Sequence, residues 1–276
     1  EEINAKTDNN NEKQQEEIQV LLSQKEIEIT DITIKQEKNK KYVVTIYTKQ
    51  EEEVSEDLKK IQKIEEILTK TLKEKMILQK QKKQKNGAQI QIYSSEDKYT
   101  LQIGIAKTTK TNSKVSGDSN LHIKLDDGKY LIALSDGMGS GEEAKKNSSM
   151  ALKMLKKLLT VGFDKDVSMQ LINSTLSLNS GQDMYSTLDM CILDLYKGNV
   201  EFIKNGAMPT LIKSEKSIKT VESISLPAGI MSHIDLITYD MDVQAGDIMV
   251  MCTDGIIESK TENSKWLEEM LKSIST

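Results

Sequence analysis

The sequence predicts a layered α+β fold, and two patterns carry that prediction. Short segments in which apolar and polar residues alternate are typical of half-buried strands, and they recur through much of the chain. Apolar residues at helical spacing form two segments in the middle of these strands. A folded core is expected, because 37% of the 276 residues are hydrophobic and 29% are charged.

The first 110 residues predict a leading segment followed by a ββαββ unit. Residues 1–26 are rich in Asn, Gln, Glu and Lys and are interpreted as a linker or the end of a helix. A helix is predicted from Ser55 to about Lys82, with the lysine run 80–85 near its C-terminal end and Asn86-Gly87 ending it. The strands of this unit are predicted at residues 27–34, 42–47, 90–92 and 101–105.

The rest of the chain predicts more strands around two helices. A strand over 121–125 leads to the turn signal Asp126-Asp127-Gly128, and the returning strand ends at Asp136. The two helices are predicted from Ala144 to about Gly162 and from about Asp164 onward; the second is expected to turn Val167, Leu171 and Leu176 inward. Further strands are predicted at residues 188–195, 200–204, 209–213, 234–240 and 247–253, and a last helix from about Ser264.

Composition excludes several functions. The net charge of −5 gives no electrostatic case for nucleic acid, and the chain contains no arginine. A phosphatase that cradles phosphate between a cysteine and a guanidinium group is therefore excluded. The isolated Cys191 and Cys252, and equally isolated histidines, support neither a disulfide framework nor a histidine zinc site.

Location follows from the same composition. No apolar run is long enough to span a bilayer, so we expect no membrane segment and a cytoplasmic location. Because the sequence starts at Glu1, we expect a piece of a longer protein. Any membrane-associated part would then lie outside this chain.

Three aspartates predict a site for hard cations. An apolar strand runs directly into Asp136-Gly137, a similar strand runs into Asp254-Gly255, and Asp118 follows Val115-Ser116-Gly117. Carboxylate and carbonyl oxygens are the ligands of Mg²⁺ and Mn²⁺, and two such ions can share a carboxylate and an acidified water. With no arginine, metals would provide most of the stabilisation of the negative charge on a phosphoryl group. A lysine could assist, but the sequence does not say which one.

Two other interpretations of these motifs stay open. The spacing Gly139-x-Gly141-x-x-Ala144 formally fits a dinucleotide fingerprint, although no second parallel strand with an acidic ribose ligand follows. Each Asp-Gly pair could also be a simple turn.

Six sequence blocks in order resemble the phosphatase domain of the stage II sporulation protein E family, within the metal-dependent protein serine/threonine phosphatase superfamily of PPM type. They begin near Val115, at Ala133, at Tyr185, at Lys204, at Leu226 and at Gly246, the last reaching Thr253-Asp254-Gly255. The resemblance implies two packed antiparallel sheets flanked by helices. It also implies a phosphatase domain over 111–276, preceded by a regulatory segment over 27–110 through which the chain could form a homo-oligomer.

The resemblance further implies function and site residues. The family acts with Mn²⁺ or Mg²⁺ on the phosphoserine of an anti-sigma factor antagonist, which releases a sporulation sigma factor. By position, Asp136 is the expected bridging ligand with the Gly137 carbonyl on the same ion, and Asp118 and Asp254 are the other metal-linked carboxylates. Thr187 and Asp189 are expected to support the site, and the two helices after Gly141 resemble the family's switch helices.

One departure from the family leaves alternatives open. The family closes its site with a further aspartate in an Asp-Asp-Met-Thr-like motif, and no aspartate follows Trp266 here. We therefore expect a C-terminally incomplete site that binds its second metal weakly. The alternatives are a degenerate, non-catalytic regulatory or dimerising module and a phosphatase of a stress-response partner switch.

Overall fold

A computed structural model describes residues 2–37, 39–48, 54–84, 88–109, 115–125, 127–139, 141–178, 185–215, 217–234, 236–257 and 265–274. The chain forms two compact units, residues 1–98 and 99–276. Within the described ranges, no helix is both long and apolar enough to cross a membrane.

The first unit packs helices on one antiparallel sheet. Its described elements are α1 (Glu2–Gln24), β1 (Asp31–Gln36), β2 (Tyr42–Thr48), α2 (Val54–Leu72), β3 (Met76–Lys83) and β4 (Gln89–Ser95). The strands lie in the order β1-β2-β4-β3. Ile18 and Leu22 of α1, Leu68 of α2 and Tyr93 of β4 are fully buried in one core. Residues 2–24 thus form a helix whose Ile18 and Leu22 pack in this core.

The ββαββ order is present, but two of its elements were predicted wrongly. The helix predicted to reach Lys82 ends at Leu72, where Lys73 adopts a positive φ of 57°, and the lysine run lies largely in β3. Pairing with β4 outweighs the helix propensity of Lys and Gln in this strand. Residues 101–105 lie in a segment without regular secondary structure. The predicted stop at Asn86-Gly87 lies outside the described residues.

The second unit contains two antiparallel sheets. Its described elements are β5 (Asp118–Lys124), β6 (Tyr130–Asp136), α3 (Gly141–Thr160), α4 (Lys165–Leu178), β7 (Leu188–Asp194), β8 (Asn199–Asn205), β9 (Thr210–Lys213), β10 (Ile218–Val221), β11 (Thr238–Asp242), β12 (Ile248–Val250), α5 (Asp254–Ile257) and α6 (Lys265–Ser273). The larger sheet has the order β11-β8-β7-β6-β5 and the smaller the order β10-β9-β12.

The two sheets form a sandwich between helices. Alternate residues of β7 face opposite sides, so Met190 packs with α3 and α4 whereas Cys191 packs with Phe202 and with Ile212 of the smaller sheet. Leu271 of α6 covers the other side of the smaller sheet. The layers are therefore helix, sheet, sheet and helix, and the predicted α+β fold with two packed antiparallel sheets is confirmed.

Several details of the second unit differ from the prediction. Of the three residues of α4 that were predicted to point inward, Leu176 is buried, whereas Val167 and Leu171 are exposed. The buried face of this helix is instead formed by Leu176 together with Ser168, Met169 and Ile172. The strand predicted at 234–240 lies at Thr238–Asp242, and β10 was not predicted. Asp126 of the predicted turn and Ser264 lie outside the described residues.

Candidate active site

Two of the predicted aspartates lie opposite each other at one edge of the larger sheet. Asp118 is the first residue of β5, Asp136 is the last residue of β6, and the antiparallel register pairs them directly. Side chains of directly opposed residues have their Cβ atoms about 4.5–5.5 Å apart. Like charges in this position repel each other, so the pair is unfavourable without a compensating cation.

The third aspartate joins this pair. Burial, followed by hydrogen bonding and charge repulsion from Asp118 and then by weaker effects of Asp254, raises the pKa of Asp136 from 3.8 to about 7. Asp254 reaches the pair from the first residue of α5. The fold therefore gathers three carboxylates that are far apart in sequence.

Two glycines bring backbone oxygen to the same place. A Cβ added to Gly117 would lie 3.4 Å from the Gly137 carbonyl oxygen and 3.5 Å from Asp136 Oδ1. These two oxygens thus border the same small space, and glycine is required at position 117 because an added Cβ would lie only 2.9 Å from Ala144 Cβ. At Gly137 a Cβ would lie 1.9 Å from the carbonyl oxygen of Ala144, because α3 packs directly on this loop.

The oxygen donors at this edge fit a hard divalent cation. Among the described residues, no three acidic, histidine or cysteine side chains form a ready-made metal cage. An ion would therefore need backbone oxygen and water as well as carboxylates. The Gly137 carbonyl lies beside Asp136 Oδ1 and would be such a backbone oxygen.

Hydroxyl groups fix the backbone of Asp136. Its N–H donates to Thr187 Oγ1 at 2.8 Å, and its carbonyl oxygen accepts the Thr187 N–H at 2.8 Å and the Ser186 hydroxyl at 2.9 Å. Ser135 also bonds to the Ser186 hydroxyl at 2.7 Å. Thr187 therefore contacts the backbone of Asp136, and so does Ser186, which was not among the predicted site residues.

Asp189 has a different position from the one predicted. It lies between the two sheets, 2% exposed, in a salt bridge with the fully buried Lys204, which also donates to Thr210 Oγ1 at 2.8 Å. Burial raises the pKa of Asp189 and Lys204 opposes this effect. The residue therefore contacts the sandwich core, not the three carboxylates.

Further contacts orient Asp118. Thr253 Oγ1 donates to Asp118 Oδ2 at 2.9 Å, which ties the residue before Asp254 to the opposite carboxylate. The Asp118 carbonyl oxygen accepts hydrogen bonds from two ammonium groups, from Lys145 Nζ at 2.6 Å and from Lys107 Nζ at 2.7 Å. Burial and the neighbouring Lys107 lower the pKa of Lys145, and Asp118 opposes this effect. Neither lysine lies in a recognised motif, so their position at the site was not predicted.

Comparison with known proteins identifies the family of this arrangement. Residues 126–276 match the family model described as stage II sporulation protein E. The chain belongs to the stage II sporulation protein E family. The stage II sporulation protein E of Bacillus subtilis (strain 168) is 36% identical over 194 residues, which cover 69% of this chain and 24% of that protein. The phosphoserine phosphatase RsbU of the same organism is 26% identical over 152 residues, 54% of this chain and 45% of that protein.

A solved structure agrees with the whole described fold. It comprises the PP2C phosphatase domain and a fragment of the regulatory domain of the cell fate determinant SpoIIE from Bacillus subtilis. It matches with a TM-score of 0.66 and 30% identity, covering 99% of this chain and 80% of that chain. The predicted family is confirmed, and the matched solved structure is that of a PP2C phosphatase domain. The chain spans 24% to 31% of the length of the curated stage II sporulation proteins E that it matches.

Proposed function

We propose that this chain is a metal-dependent serine phosphatase that removes the phosphate of a phosphorylated anti-sigma factor antagonist. The freed antagonist would then bind its anti-sigma factor and release a sporulation sigma factor. The observation that carries the activity is the opposed pair Asp118 and Asp136, joined by Asp254 at one sheet edge. The family's sporulation role and the serine specificity in the name of RsbU support the substrate class.

In this proposal, each of the three aspartates has a metal-binding role. Asp136 would be the carboxylate shared by two Mn²⁺ or Mg²⁺ ions, the Gly137 carbonyl would hold one of them, and Asp118 and Asp254 would be the other metal-linked carboxylates. Divalent cations supply charge stabilisation of the phosphoryl oxygens and an acidified water for attack on phosphorus. Thr187 keeps Asp136 in place through its backbone, and Thr253 fixes the direction of the Asp118 carboxylate.

The remaining parts of the chain have proposed roles as well. Residues 27–110 would regulate the phosphatase domain at 111–276 and could mediate self-association. We propose a cytoplasmic site of action, with the parent protein at the cytoplasmic face of a membrane.

The experiment compares the native chain with Asp136→Asn in a Mn²⁺ titration, using a phosphoserine peptide from an anti-sigma factor antagonist. We expect metal-dependent phosphate release from the native chain and a loss of at least about 100-fold in Asp136→Asn. Asp240→Asn, which changes an exposed aspartate on β11, is the matched control and should keep full activity. Equal turnover of native and Asp136→Asn protein would refute the assignment.

Calorimetry with Mn²⁺ separates the catalytic from the non-catalytic interpretation. A phosphatase should bind one ion tightly and a second more weakly. Failure of the native chain to bind Mn²⁺ would favour the regulatory module. Equal activity on an antagonist from a stress-response switch and on one from a sporulation switch would remove the proposed substrate preference.

A further inference from the structure

The two lysines on Asp118 form an unusual pair. Lys145 comes from the second turn of α3 and Lys107 from the segment without regular structure before β5, yet both donate to one carbonyl oxygen. Their ammonium nitrogens therefore lie within about 5.3 Å of each other. Two like charges at this separation repel each other.

The Asp118 carboxylate offsets part of this repulsion, but among the residues that the structure describes it forms no salt bridge with either lysine. Within the described part of the chain, neither ammonium group forms a salt bridge, although other lysines do. An ammonium group has three donor hydrogens. Lys145 uses two of them, on Asp118 and on Ser119 Oγ at 2.9 Å, and Lys107 uses one, so both have donors left for a ligand.

The pair also has the right position for an anion. The shared carbonyl belongs to the residue whose carboxylate faces Asp136, so the cationic pair borders the acidic cluster. No arginine exists to bind phosphate, and lysine binds phosphate as a point charge. We propose that Lys145 and Lys107 form a subsite for the phosphate dianion of substrate and product.

This inference rests on the proposed function only for the identity of the anion. A dianion between the two ammonium groups removes their mutual repulsion and accepts their remaining donors. Lys145 contributes more than Lys107, because it is partly buried whereas Lys107 is exposed. The subsite orients the phosphate, and the neighbouring carboxylate cluster would hold the divalent cations that supply the chemistry.

Inorganic phosphate is the probe, and its binding is measured by calorimetry in excess Mg²⁺, with no turnover required. Lys145→Met keeps the aliphatic stem and should weaken phosphate binding about 10-fold, and Lys107→Met somewhat less. Lys145→Arg should keep most of the affinity because the charge remains. Lys146→Met, the neighbouring exposed lysine on α3, is the control and should bind like the native chain.

A second readout distinguishes an anion subsite from a purely structural role. If the lysines bind phosphate, Lys145→Met leaves the Mn²⁺ affinity unchanged or tighter, since a positive charge has been removed. A parallel loss of Mn²⁺ affinity, or phosphate binding equal to that of Lys146→Met, overturns the proposal. A native chain that binds phosphate through Lys145 without hydrolysing the phosphopeptide would refute the proposed function and leave this subsite intact.

Discussion

Replacing Asp136 by Asn should stabilise the metal-free protein. A carboxyl group whose pKa is higher in the folded than in the unfolded state makes the fold less stable as the pH rises between those two values. For Asp136 the interval runs from 3.8 to about 7. Below it, the group is protonated in both states and has no effect; above it, the folded state carries the full penalty of the crowded charges.

The magnitude follows from the same values. A rise of the pKa from 3.8 to about 7 corresponds to about 4 kcal/mol if fully effective. Asp136 is only half-buried, and solvent screening reduces the effect to about 1–2 kcal/mol. We therefore expect Asp136→Asn to raise the free energy of unfolding by about 1–2 kcal/mol at pH 8, and by less at pH 5.

Urea denaturation in EDTA at both pH values measures this difference. Asp240→Asn should leave the free energy of unfolding within about 0.5 kcal/mol of the native value. Mn²⁺ at about 100 times its dissociation constant should stabilise the native chain by about 2.7 kcal/mol and the Asn variant far less, which would reverse their order. An Asn variant that is less stable in EDTA at pH 8, or a difference that does not depend on pH, would refute the description of a repulsive cluster.

Three further substitutions test the surroundings of the site. Gly117→Ala should weaken Mn²⁺ binding measured by calorimetry, because its Cβ would lie 2.9 Å from Ala144 Cβ and the shift that this forces would disturb the oxygens of Asp136 and Gly137 next to it. Gly104→Ala, with open space around it, should not weaken binding. Thr187→Val removes the acceptor of the Asp136 N–H and should cost about 1–3 kcal/mol in urea unfolding, which Thr187→Ser should largely restore; full stability of the valine variant would contradict the role of this bond. Lys204→Met leaves the buried Asp189 carboxylate without its partner and should lower the free energy of unfolding by about 3–5 kcal/mol. Adding Asp189→Leu to this variant should recover much of the loss. A Lys204→Met variant as stable as the native chain would show that the pair is not ionised.

The layered fold could be predicted from sequence because its strands carry clear alternation. β7 and β8 were predicted within about a residue of their observed bounds, and β6 ends at Asp136 as predicted, since each has an apolar face against the helices or the smaller sheet. β5 begins at Asp118, earlier than the predicted Leu121. The region before residue 110 was harder. The residues of β3 have helix propensity, and only their pairing with β4 makes them a strand.

The candidate site was predictable only where side chains follow a recognisable motif. Asp136 and Asp254 come after apolar strand residues, Asp118 follows the Val115-Ser116-Gly117 block, and the fold brings the three together. Lys107 and Lys145 belong to no motif, and their proximity depends on how α3 and the segment before β5 pack. Asp189 was expected near the site because it belongs to the same family motif as Thr187, but the two side chains meet different surroundings.

The contacts of Asp136 divide its two tasks between different atoms. Hydroxyl and amide groups hold its N–H and carbonyl oxygen, whereas its carboxylate meets the other carboxylates of the cluster. Under the proposed function, one substitution at this side chain would therefore remove the chemistry while every bond that anchors the strand end remains. A catalytic domain and an inactive relative of the same shape would then differ by a single residue, and the overall fold alone would not distinguish them.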